Sequence, residues 1–135
     1  MIRQIDEKVS VSHQIAVHDV AGLASQGVTM LINNRPDGED ADQPSAADIE
    51  AAAERAGLAY RHVPIIRGIG PGDVNAMSEA LAEAGEGKVV AFCRSGNRSA
   101  LVYALARRAQ GAPREEIERR LTAIGVDPGP IQHLL

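Results

Sequence analysis

Two short apolar runs, residues 28–32 (VTMLI) and 88–92 (KVVAF), constrain the fold more than any other feature of the chain. Each is one strand long, sits between turn residues, and lacks the strict polar alternation of a half-exposed strand. Strands of that kind are buried on both faces, which calls for a parallel sheet with helices packed on either side. The intervening segments supply the helices. Helical patterns over residues 17–26, 45–56, 73–84 and 98–110 each stop at a glycine, namely Gly27, Gly57, Gly85 and Gly111. Ser45 is the expected N-cap of the second, and Pro113 opens a further helix over residues 114–124. Two more strands are expected, a half-exposed one at residues 8–12 (KVSVS) and another over residues 58–65. This order predicts a single α/β domain over residues 1–135 with a mainly parallel central sheet.

Composition removes several classes of function. With 44% hydrophobic and 24% charged residues the chain is ordinary for a globular protein, while an aromatic share of 2% implies a core of Ala, Val, Leu and Ile. A net charge of −4 argues against nucleic-acid and anionic-membrane partners. No run approaches a membrane span, and the start MIRQIDEKVS lacks the features of a signal peptide, so the cytoplasm is the expected location. One cysteine forms no internal disulfide, and His13, His18, His62 and His133 have no metal-ligand spacing. No metal or organic cofactor is expected.

Chemistry concentrates in the segment VVAFCRSGNRSA, residues 89–100. A buried strand ends at the lone cysteine, Cys93; a polar loop with a central glycine follows, and a helix begins. In a parallel sheet this is the strand edge at which ligands bind. The helix N-terminus and the successive N–H groups from Arg94 to Ser99 form an expected anion nest, with Gly96 supplying the positive φ such a turn needs. Arg94 and Arg98 add charge, and either can grip an oxyanion through its forked donors. All of these favour the thiolate, so Cys93 is expected to be a largely ionised nucleophile. Arg98 is the expected main clamp, with Arg94, Ser95, Gly96, Asn97 and Ser99 lining the cradle. Arg35, after the strand at residues 28–32, should open on the same sheet edge. It either binds substrate or pairs with Asp37 or Glu39, while Asn33 and Asn34 hold their loop through side-chain bonds to backbone.

The loop resembles those of two families that handle anions through a cysteine thiolate. Cysteine-dependent phosphatases separate Cys and Arg by five residues; rhodanese-type sulfurtransferases use a tighter C-R-x-G-x-R. Cys93-Arg94-Ser95-Gly96-Asn97-Arg98 matches the second pattern and is one residue short of the first. Over nearly its whole length the chain resembles a bacterial phosphatase-like family also found fused to β-lactamase-like hydrolases. The resemblance lies in Ser12-His13-Gln14, Ile32-Asn33-Asn34-Arg35-Pro36-Asp37-Gly38-Glu39, residues 53–64 and the Cys93 loop. It implies a dual-specificity-phosphatase-like fold carrying a rhodanese-sized loop.

Two reactions compete. Phosphate monoester hydrolysis through a phosphocysteine needs a general acid for the leaving alkoxide. The segment where phosphatases of this class place an Asp reads Arg61-His62-Val63-Pro64-Ile65, with no carboxylate. Asp73 is the nearest candidate, with helix capping as its competing role; Asp37, Glu39 and Asp40 can also approach from their loop. Sulfur transfer through a Cys93 persulfide needs no acid, and a short loop suits a single sulfur. Sequence alone therefore favours a sulfurtransferase, with a phosphatase as the alternative and a non-catalytic anion-sensing module as a third reading. The expected partners are a small anionic substrate (thiosulfate, a persulfide or a phosphate ester) and, for sulfur transfer, a thiol acceptor.

Overall fold

The computed structural model describes residues 2–135. Five strands, β1 Ile2–Gln4, β2 Val9–Ser12, β3 Val28–Asn33, β4 Ala59–His62 and β5 Lys88–Phe92, form one sheet in the order β1-β2-β5-β3-β4. β2, β5, β3 and β4 run parallel, and β1 is added antiparallel at one edge. Helices α1 Val20–Ser25 and α2 Ala46–Ala56 cover one face; α3 Pro71–Ala84, α4 Asn97–Ala109 and α5 Arg114–Ala123 cover the other.

The unbroken apolar reading of β3 and β5 follows from this sandwich. Along β5, Val89 and Ala91 point to the α3–α5 side, while Val90 and Phe92 point to the α1–α2 side. β3 does the same with Met30 and Ile32 against Leu31. The register shifts between Val28 and Met30, a bulge that turns Val28 to the face opposite Met30.

Local chemistry sets the helix ends. Ser45 Oγ accepts the Asp48 N–H at 3.1 Å, a cap that contributes about 1 kcal/mol, and Gly57 closes α2 with φ at 78°. α3 starts two residues before the expected Asp73. Pro71 presets its first turn, and Asp73, three residues inside, accepts the Gly70 N–H at 2.9 Å.

Other expectations need correcting. β2 is interior rather than half-exposed, because β1, too short to be legible, pairs along its outer side; Val11 is fully buried. The helix expected over residues 17–26 splits into a 3₁₀ turn, Val17–Asp19, followed by α1, because Asp19 ties back to Ala16 through both its N–H and its carboxylate. β4 stops at His62. Pro64 has no N–H, and only the N–H groups of Val63 and Ile65 continue toward β3, bonding the Asn33 and Asn34 carbonyls. Nor is the core purely aliphatic. Phe92 and Tyr103 are among its largest fully buried side chains, and the Tyr103 hydroxyl donates to Asp6 at 2.6 Å. Asp6 in turn accepts the N–H groups of Lys8 and Val9, tying α4 to the β1–β2 turn.

Four parallel strands deliver their C-terminal ends to one edge. There Ser12–Gln14, Asn34–Arg35, Val63–Ile65 and Cys93–Arg98 converge, with β5 between β2 and β3.

Candidate active site

Cys93 follows β5 with no exposed surface. Its N–H donates to the Ser12 carbonyl at 3.3 Å, extending the parallel ladder one step past the strand and fixing where the sulfur starts. The chain then turns through Arg94 and Ser95 to Gly96, whose φ of 98° places it in the left-handed region. That conformation turns the Gly96 N–H onto Cys93 Sγ at 3.1 Å, one donor of the expected nest. The loop is also closely covered here: a Cβ on Gly96 would lie 2.7 Å from Arg3 Nη2, so the Arg3 side chain would have to shift to admit one. α4 begins at Asn97, so the sulfur sits at its N-terminal end.

Arg98 is drawn into the site and Arg94 is not. The Arg94 side chain is 70% exposed, with Nε 3.6 Å from Asp40. Arg98 spends Nη1 on the Ile65 carbonyl at 2.9 Å and on Glu39 Oε2 at 2.8 Å, and one Nη2 hydrogen on Glu39 Oε1 at 2.8 Å. The end-on face of the guanidinium is thus occupied, and its other side lies within hydrogen-bonding reach of Cys93. The bond to Glu39 is the main cause holding the Arg98 pKa above its usual value; burial opposes it, and the charge and proximity of Cys93 reinforce it.

Arg35, 3% exposed, is built in rather than presented to solvent. Nε donates to Glu39 at 2.8 Å, Nη1 to Gln14 at 3.0 Å and Nη2 to Asp40 at 2.6 Å. Of its two expected partners it takes Glu39; Asp37 instead accepts the Ala46 N–H at 2.7 Å. Asn33 and Asn34 hold the loop as expected, Asn33 accepting the Arg35 N–H and Asn34 donating to the Val63 carbonyl. A cleft of about 570 Å³ lies beside Arg35, lined by Gln14, Asp40 and residues 41–44.

Glu39 joins the two arginines. Hydrogen bonds from Arg98, then from Arg35, outweigh the opposing effect of burial and pull its pKa from 4.5 to about 2. It is therefore ionised at neutral pH and does not serve as a proton donor there. The linked stability is fully present above pH 4.5 and is lost as pH falls through about 2. Thermal unfolding of Glu39→Gln checks this. The melting gap between wild type and variant is expected to be constant above about pH 5 and to shrink steadily toward about pH 2.

Other expected site residues have plain positions. The Ser95 hydroxyl accepts the Asn97 N–H at 3.2 Å, and Ser99 is fully buried with its hydroxyl unpartnered. Asp73 holds the head of α3. Gln14, the Ile65 carbonyl and Arg3 were missed. They reach the loop from remote parts of the chain and leave no local signal. Among the described residues no group of three or more His, Cys, Asp or Glu is placed to hold a metal ion, and no helix is long and apolar enough to cross a membrane.

At the end of β5, Cys93, the glycine turn at Gly96, Arg98 and the start of α4 thus lie together at one edge of an α/β sandwich. The family model for the phosphatase-like domain of beta-lactamase hydrolase-like proteins matches residues 1–110. The chain belongs to this family. A beta-lactamase hydrolase-like protein of Xylella fastidiosa is 39% identical over 95% of the chain, which spans only 30% of that relative's length. The crystal structure of a Neisseria meningitidis protein described as a candidate phosphatase superposes with a TM-score of 0.80 at 35% identity, covering 98% of this chain and 94% of that one. Tk-PTP in its active form shares the fold at 20% identity, with a TM-score of 0.73 over 98% of this chain and 92% of its own. The fold is thus that of the dual-specificity and tyrosine phosphatases, and the family is phosphatase-like.

Proposed function

We propose that this domain hydrolyses phosphate monoesters through a phosphocysteine on Cys93. The observation that carries this reading is the divided guanidinium of Arg98. Glu39 and Ile65 fix one face of it, leaving a forked pair of donors for two oxygens of a phosphoryl group held over a sulfur that already accepts the Gly96 N–H. The thiolate attacks phosphorus, the P–O bond to the leaving group breaks, and water then cleaves the P–S bond, releasing phosphate and restoring the thiolate.

Among carboxylates, Glu39 is held ionised, Asp40 is bonded to Arg35, and Asp73 is bonded to the Gly70 N–H. Asp73 remains the candidate general acid of this reading, acting once its capping bond is released. Aryl phosphates, whose leaving phenolate needs little protonation, are the substrates to try first. The backbone of Arg94, with Asn97 and Ser99, completes the proposed cradle, while the exposed Arg94 side chain stays outside it, and Arg35 supports it through Glu39. No cofactor is invoked, and the domain is taken to work in the cytoplasm.

Sequence alone favours sulfur transfer, and one feature still speaks for it: only four residues separate Cys93 from Arg98. The family match and the phosphatase fold shift the balance to phosphate. The test gives the purified domain an aryl phosphate and, separately, thiosulfate with cyanide. Phosphate release without thiocyanate formation is the expected result. Thiocyanate without phosphate would overturn it in favour of a Cys93 persulfide. Binding of both anions without turnover would leave an anion sensor.

A further inference from the structure

We propose that Arg3 is a positioning residue for the cysteine loop, holding the Ser95–Gly96 peptide so that its N–H faces the sulfur. A trans peptide points its C=O and N–H in opposite directions. In this one the N–H of Gly96 donates to Cys93 Sγ at 3.1 Å, while the carbonyl of Ser95 accepts from Arg3 Nη2 at 3.3 Å. The two bonds pull on opposite ends of one dipole, and each strengthens the other. Arg3 is itself anchored, with Nη1 on the Ile124 carbonyl at the end of α5 at 2.8 Å. Its backbone is fixed by the pairing of β1 with Val11 of β2.

This peptide needs a hold. Gly96, at φ 98° and without a side chain, is the easiest point in the loop for a peptide to rotate. A flip would aim the Ser95 carbonyl at the sulfur, placing a negative dipole where the thiolate and any oxyanion must sit. Arg3 opposes that flip from behind the loop, and its guanidinium lies against the Cα side of Gly96 so closely that a Cβ there would meet it. The short edge strand β1 is therefore part of the chemical apparatus, since it delivers this side chain.

The proposal rests on Cys93 being the nucleophile but not on which reaction it performs. Its test is alkylation of Cys93 by iodoacetamide, which needs no turnover. Arg3→Met is expected to slow alkylation about tenfold near pH 6.5 and to match wild type near pH 9.5. Arg3→Lys keeps the charge but satisfies only one of the two carbonyls, so its rate near pH 6.5 is expected to lie between the two. Wild-type rates in both variants would overturn the proposal. So would equal slowing at both pH values, which marks altered access, or full rescue by lysine, which marks a charge effect alone. Should Arg3→Met fail to fold, the Arg3→Lys comparison decides by itself. Phosphate release, measured alongside, fails in wild type if the proposed reaction is wrong, whatever the alkylation shows.

Discussion

Replacing Cys93 with serine is expected to lower phosphate release from an aryl phosphate by about 10⁴-fold or more while leaving the fold intact. The two side chains differ by one atom, and the serine oxygen can take the same Gly96 N–H that the sulfur takes. The hydroxyl, however, ionises far less readily than the thiol. Glu39, the ionised carboxylate on the clamp, is bonded to two arginines rather than to the sulfur. Steady-state assays give the rate, and thermal melting, expected to shift by only a few degrees, shows that the core has survived. A serine variant with near wild-type turnover would remove Cys93 from the mechanism.

Arg98→Lys carries the second largest effect, a loss of about 10³-fold in kcat/KM. The guanidinium does two jobs at once. Its end-on face ties the Glu39 loop to the Ile65 carbonyl, and in the proposed reaction its remaining forked donors take the substrate's oxygens. An ammonium carries the same charge but cannot hold Glu39 and Ile65 while presenting two parallel N–H groups to an oxyanion. Loss in both kcat and KM is expected, because phosphoryl binding in the ground state and the charge of the transition state share those donors. Melting should fall as well, since Glu39 loses its principal partner. A variant that lost stability but kept kcat/KM would confine Arg98 to a structural role.

The parts of this site legible in the sequence are those contiguous in it. Strand β5, Cys93, Gly96, Arg98 and the start of α4 lie within eleven residues, and each obeys a local rule: an apolar run, a glycine at positive φ, a helix N-terminus. The parallel sheet was equally legible, because β3 and β5 are apolar on both faces. The remainder was hidden for physical reasons. Arg3 sits on a strand of three residues whose pattern carries no period, and it meets Ser95 from 92 positions away. Glu39 stands in a polar, turn-rich loop where every carboxylate looks solvated. Only the fold, by bringing the ends of β3 and β5 together, makes it the partner of Arg98, 59 positions on. The two strong candidates for substrate contact from composition, Arg94 and Arg98, are separated by geometry alone: one side chain is 70% exposed, the other 27%.

The central claim, that Cys93 forms a phosphocysteine, is tested most directly by the intact mass of the protein quenched in acid within the first turnovers of an aryl phosphate. The account predicts an adduct of about 80 Da on Cys93, absent from Cys93→Ser and carried forward to free phosphate when the reaction continues. An unmodified protein under turnover with the aryl phosphate, together with an adduct of about 32 Da after thiosulfate, would contradict it and make the loop a persulfide carrier.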